Sequence, residues 1–401
     1  MTVHFFAGVL FINRIFYVGV LALSVIFLLV GNRVASAETG ADVDYYAFYS
    51  GVVTQIIDRA EIDIFVHTTF SARITRGARR GEVVTAEHFF SSTVLEDEKL
   101  EVGDRIVLVH DSFDGRYFFA NFNRFDSIVV LGVAFLAIVI LFGRLKGFNG
   151  IVALGFTCMA IFLVFVPAII SGRNIYVATI VVCVFSIVST LSLVIGPNKK
   201  ALSAMLGCFG GVLLAGVLML IMDAVLGLSG VLDSETRNLL FLPTENPINL
   251  RALIFAGVIL GAVGAIVDVS MSIASSLWEV KEAGGVSDFA SLFKSGINIG
   301  RDILGTMLNT LILAYIGSSL SLILVISVYS TSLLDLFNME MIIVEFLRAL
   351  VGSFGMLLTI PLTAAICGSL YQKRPSDILD DSADEEYRKR LEMRRAEHSK
   401  H

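Results

Sequence analysis

Charge is scarce in this chain of 401 residues: Asp, Glu, Lys and Arg together make up 16%, against 56% hydrophobic residues. That balance, with a mean hydropathy of +0.80, excludes an ordinary soluble domain and gives an integral membrane protein, with the lipid bilayer as its first partner. Cysteine is limited to Cys158, Cys183, Cys208 and Cys367. All four fall in apolar segments, with no CxxC and no Cys/His cluster. They read as small packing residues, which leaves no disulfide frame and no zinc or redox site. Walker A, GxSxG and HExxH motifs are absent, and no nucleophile–base pair is recognisable. His67, His88 and His110 are scattered on strand-like segments and read as surface or core residues. The chain is therefore expected to be no enzyme, with no cofactor, metal or nucleic-acid partner of its own. The net charge of −6 averages over compartments and says little about partners.

What is present is apolar length. Spanning a bilayer as a helix takes about 20 residues. Segments near 127–143, 148–170, 174–195, 201–227, 250–273, 303–327 and 341–371 qualify, and Ile15–Val34 opens the chain as another. The expected fold class is an α-helical multi-pass membrane protein. It has about eight hydrophobic segments, or seven if the first is removed as a signal peptide at Ala35-Ser36-Ala37. A retained signal anchor is the favoured reading. Pro361 lies inside the last, overlong segment and predicts a kink or tilt.

Residues 38–126 differ in kind, with 16 Asp and Glu against 9 Lys and Arg and no spanning segment. Ile62, Ile64 and Val66, then Phe70, Ala72 and Ile74, alternate as half-buried strands do. Asp114-Gly115 between RIVLVH and RYFFANF is a two-residue hairpin signal. Gly77, Gly81 and Gly103 mark further turns. A small all-β barrel or sandwich is expected, OB-like or SH3-like. The domain plan is thus 1–37 signal anchor or peptide, 38–126 extracytoplasmic β domain, 127–371 transmembrane bundle and 372–401 charged cytoplasmic tail. Acid-to-base pairs such as Glu385/Lys389 favour a solvated helix in that tail. Arg144, Lys146, Lys199, Lys200, Lys281, Lys294 and Arg301 fall in the expected cytoplasmic loops. Only Arg173, Arg237 and Arg251 fall in the outer loops of the membrane region, which satisfies the positive-inside rule.

Polar residues inside the spans carry the functional argument. Gly257, Gly261, Gly264, Asp268, Ser272, Ser275 and Glu279 recur at steps of three or four. So do Asn298, Asp302, Thr306 and Asn309, and likewise Glu345, Arg348, Gly352, Gly355, Thr359 and Thr363. At 3.6 residues per turn each set is one stripe, and stripes of this kind belong against protein or water rather than lipid. Asp268, Ser272, Ser275, Asp302, Thr306, Asn309, Glu345, Arg348 and Thr359 are the pathway or ion-binding candidates. For Asp268 a wet helix end competes with a proton or cation site. For Asp302 the competing reading is a first helical turn, where the macrodipole favours acids. Glu345 and Arg348, at i, i+3, are spaced to pair. Gly257, Gly261, Gly264, Gly352 and Gly355 are expected to pack helices, and Gly257-x-x-x-Gly261 fits a small-xxx-small seam that also suits homo-oligomerisation. From Trp278 to Ile299 the chain is amphipathic and rich in glycine, and reads by default as a cytoplasmic linker, with an interfacial helix or a re-entrant turn as the alternatives.

The runs DVSMSIASS, SGINIGRDILGTMLNTLILAYIGSSL and ALVGSFGMLLTIPLTAAI, with KLEVGDRIVLV and Arg124-Phe125 upstream, resemble the YibE/F-like family. The resemblance implies a bacterial multi-pass plasma-membrane protein. It transfers no catalytic residue and no substrate. The functional expectation is a transporter or channel for a small solute or ion; the alternative is a non-transporting assembly or sensory protein whose outer domain binds an envelope partner.

Overall fold

The computed structural model describes residues 2–35, 46–62, 65–77, 79–91, 99–242, 247–283, 288–329 and 332–372. Ser36 and Ala37 of the expected cleavage site and the charged tail from Lys373 lie outside the described residues. Two compact units divide the chain: Gly40–Gly147, and Met1–Thr39 with Phe148–His401.

In the first unit five strands close a barrel in the order β1-β2-β3-β5-β4. They are β1 (Tyr46–Ile62), β2 (Phe65–Ile74), β3 (Val83–Ser91), β4 (Arg105–Asp111) and β5 (Tyr117–Phe122). All pairings are antiparallel except β3 with β5. This is the strand order of an OB-type barrel and decides between the two expected forms. Closure depends on β1, which pairs with β4 through its first half and β2 along most of its length. Register shifts at Val53/Gln55 and Ile56/Asp58 bend it to serve both neighbours. The alternation read in β2 puts Val66, Thr68, Phe70, Ala72 and Ile74 inward. Phe70, Ala72 and Ile74 meet Val53, Ala86, Ile106 and Leu108 in a core where Phe70 and Ile106 are fully buried. Gly115, at φ 70°, makes the β4–β5 turn. Two residues after β5 the chain enters helix α2 (Phe125–Ala160). In its first turn Asp126 accepts from Arg76 at 3.0 Å and pairs with Arg105 at 3.4 Å.

Arg144 interrupts α2 with φ 47° and ψ −131°. In a straight helix, Val139 and Gly147 would stand about 12 Å apart along the axis. Instead Gly147 comes against the Val139 carbonyl group, so the chain turns sharply there. The segments expected at 127–143 and 148–170 therefore form one apolar run, Phe125–Ile170, divided by this break.

The second unit is helical, comprising the rest of α2 with a π-helical turn at Ile161–Phe165, and α1 (Thr2–Ala35), α3 (Val166–Ile170), α4 (Ile175–Val194), α5 (Lys199–Leu226), α6 (Ser234–Asn238), α7 (Leu250–Glu282), α8 (Phe289–Ser318), α9 (Leu320–Tyr329), α10 (Leu333–Leu336) and α11 (Glu340–Tyr371). Asn174, Asn198, Asn249 and Asp288 cap α4, α5, α7 and α8 by accepting from the third backbone N–H of each helix. The amide and side chain of Ser291 hold the Asp288 carboxyl below the usual carboxylate range. Gly227, at φ 62°, ends α5 in a left-handed cap. Among the described residues seven helices are long and apolar enough to cross a membrane, so the chain is a multi-pass membrane protein carrying a small β domain.

Two expectations change here. The stretch from Trp278 to Ile299 is not a linker: α7 continues to Glu282 and α8 already begins at Phe289. Glycines and charges at both junctions hid these helix ends from hydropathy. Asp302 therefore lies almost four turns inside α8, beyond reach of the macrodipole. Pro361 sits within α11, whose helix continues through it.

At the centre α5, α7 and α11 meet along small residues and hydroxyls. The Ser270 hydroxyl donates to the Ala204 carbonyl at 2.8 Å and shares a 2.9 Å hydrogen bond with Thr363. Thr359 donates to the Gly355 carbonyl at 2.7 Å. A Cβ on Gly207 or Gly211 would overlap the hydroxyl of Thr363 or Thr359. Further along, Ser203 and Tyr371 share a 2.7 Å hydrogen bond. Close approach by small residues is how helices associate where hydrophobic exclusion gives no drive.

Two substitutions test these cores. Phe70→Ala should destabilise the barrel by about 3–5 kcal/mol, seen as faster hydrogen exchange through β1–β3 in the intact chain with α5, α7 and α11 unaffected. Gly211→Ala should destabilise the three-helix seam by about 1–3 kcal/mol, lowering the thermal midpoint in detergent. Pairing it with Thr359→Ala should recover part of that loss.

Candidate functional site

α7 is the most buried of the spans, with 61% of its most apolar window covered. One strip of it stays open. Gly257, Gly261, Gly264 and Asp268 are exposed, and Ser272 and Ser275 are half-buried. The strip is the stripe read from the sequence, and its glycines line open space more than they pack. A Cβ on Gly264 would meet nothing within 4 Å, and one on Gly257 would only reach Arg348 Nη2 at 4.0 Å. At Gly261 the Tyr315 hydroxyl of α8 stands 2.9 Å from the Cβ position.

Arg348 and Tyr315 thus mark one end of the strip, and Asp268 lies about 16 Å along it from Gly257. Arg348 Nη1 donates to Glu345 Oε1 at 2.5 Å, the expected i, i+3 pair. Glu345 Oε2 accepts from the Ser319 hydroxyl at 2.8 Å. Beyond them α8, α9 and α11 enclose an apolar crevice of about 360 Å³ lined by Ile312, Ile316, Leu322, Phe346 and Leu350. Glu345 uses the Nη1 side of the Arg348 guanidinium, and Nη2 reaches the strip at Gly257.

Asp268 occupies the middle of the bundle. Its neighbour Ile266 packs against Gly211 and Gly355, and Ser270 against Thr363. No hydrogen bond or ion pair reaches the Asp268 carboxylate from the described residues. At bilayer depth an ionised, unmatched carboxylate costs about 2.5–3.5 kcal/mol on insertion scales, a cost that a proton, water or a cation on the strip would relieve.

The three stripes do not meet in one cavity. The α7 strip, Tyr315, Glu345, Arg348 and Gly352 come together; Gly352 has Leu311, Ala262 and the Tyr315 hydroxyl 3.6–3.9 Å from its Cβ position. Gly355, Thr359 and Thr363 are buried in the seam. Asn298, Asp302, Thr306 and Asn309 are exposed on the far side of α8, away from Gly296 and Gly300, which pack on Ala364 and Ile360. Tyr315 and Ser319 were not singled out from the sequence, because an aromatic and a serine at the end of an apolar run look like ordinary interface residues. Gly207 and Gly211 were not singled out either, although their i, i+4 spacing is the small-xxx-small signal that points to a seam. Among the described residues no three His, Cys, Asp or Glu side chains gather as metal ligands.

Filling the strip should not unfold the helix. Gly264→Leu should change the unfolding free energy by no more than about 0.5 kcal/mol, as exposed substitutions do. It should also slow labelling of a cysteine placed at Ser272 by a water-soluble maleimide by at least tenfold.

The model of the YibE/F-like protein family matches residues 131–373. No curated protein and no solved structure matches the chain.

Proposed function

The chain belongs to the YibE/F-like family, and we propose that it moves a small solute or ion across a bacterial plasma membrane along the open strip of α7. The observation that carries this reading is Asp268: a carboxylate at mid-bundle depth, on the uncovered face of the best-covered helix, with no partner among the described residues. Intramembrane ionisable side chains of this kind mark substrate, ion or proton pathways by default. Glycines at 257, 261 and 264 keep the side chains of α7 itself off the approach to it, which Tyr315 and Arg348 flank. Arg348, positioned by Glu345, supplies a positive group at the other end. Asp268 is the proton or cation site, and Arg348 with Tyr315 selects what enters. Positive-inside bias, carried by Arg144, Lys146, Lys199, Lys200 and Lys281 once Lys294 and Arg301 are found inside α8, supports a topology with residues 38–126 outside and the C-terminus in the cytoplasm.

A second reading draws on the barrel surface. Phe48, Phe65, Phe89 and Phe113 are each more than half exposed, more apolar aromatic surface than a solvated β domain needs. On this reading the barrel binds an envelope partner and the bundle serves as its anchor.

Reconstituted protein separates the two. Flux of protons or monovalent cations into liposomes should fall at least tenfold in Asp268→Asn while the thermal midpoint is kept. Equal flux in parent and variant would remove Asp268 from the mechanism. No flux in either, with an envelope protein cross-linked through Phe65 or Phe89, would give the second reading.

A further inference from the structure

α8 is the least apolar of the seven spans, with a mean hydropathy of 1.2, yet only 6% of that window is buried. Its packing face is accounted for by Leu292, Gly296 and Gly300 against α11 and α7. The opposite face carries Asn298, Arg301, Asp302, Thr306 and Asn309, all exposed. Thr306 and Thr310 turn their hydroxyls back to the Ile303 and Thr306 carbonyls of their own helix. The side chains of Asn298, Arg301, Asp302 and Asn309 have no partner among the described residues.

Depth rules out an interfacial location for most of this face. Gly300 abuts Ile360, and Leu311 abuts Gly352. The segment between them is therefore level with the middle of the 32-residue α11. Lipid cannot satisfy an acid, a base and an amide there. Nor can Arg301 satisfy Asp302, because neighbouring residues on a helix point about 100° apart.

We infer that this face of α8 seats a second copy of the same chain, docked in parallel about a two-fold axis along the membrane normal. Charge complementarity selects that occupant. Adjacent opposite charges at one depth match themselves under such an axis, with Arg301 of each copy opposite Asp302 of the other and the Asn309 amides exchanging hydrogen bonds nearby. Gly305, with open space at its Cβ position, lets the helices approach. The contact lies on the other side of α8 from the Asp268 strip, so it does not depend on the transport reading.

The test uses the purified full chain in lipid nanodiscs, with the exposed Cys158 changed to Ser. Asn309→Cys should oxidise to a species of twice 43.5 kDa at least tenfold faster than Val177→Cys, an exposed position on α4. Arg301→Asp and Asp302→Arg should each raise the dissociation constant of the dimer at least tenfold, and the two together should restore it. A chain that stays monomeric at every concentration overturns the inference. So does a dimer in which Val177→Cys cross-links as fast as Asn309→Cys. Should the charge variants fail to fold, the Asn309→Cys rate decides alone. Loss of flux in Asp268→Asn with the dimer intact concerns only the transport reading, and loss of the dimer with flux intact only this one.

Discussion

The seam where α5, α7 and α11 touch is the constraint on which the helical unit depends. Inside a bilayer burial of apolar area gives helices no reason to prefer one another over lipid, so association rests on close packing and hydrogen bonds between helices. Gly207 and Gly211 remove the side chains that would hold α5 away from α11. Ser270 spends its hydroxyl on the Ala204 carbonyl and on Thr363. With these three helices fixed, α7 has most of its surface covered, and the strip left over is defined by subtraction. The open face is a consequence of the closed ones.

That order of dependence explains why similar-looking stripes have different fates. Periodicity places residues on one side of a helix but does not say which side faces a neighbour. Thr359 and Thr363 have the same i, i+4 spacing as Asp302 and Thr306, yet the first pair is buried in the seam and the second faces outward. What separates them is the partner: α5 offers glycines opposite the first pair, and nothing among the described residues stands opposite the second. Only a distance between helices distinguishes these cases, and a single sequence carries no such distance.

Much of the fold was nonetheless legible. The alternation in β2, the Asp114-Gly115 turn and the spans of α4, α5 and α11 follow from local chemistry, and the structure has them where that chemistry puts them. The barrel order was not legible, since the parallel β3–β5 pairing and the double duty of β1 are long-range facts. The beginning of α8 was missed because Asp288 caps a helix whose first turns are too polar to register as a span. The Glu345–Arg348 pair was readable from its spacing, whereas Ser319 and Tyr315, which complete the cluster, come from another helix.

The junction between β5 and α2 has a mechanical meaning. Only Asn123 and Arg124 separate the barrel from the helix, and Asp126 is held by arginines from two different parts of the barrel wall. Such a joint has little slack. A force that tilts the barrel acts as a torque on the first turn of α2, so whatever grips the β domain holds a short lever whose other arm is a helix built to lie in lipid.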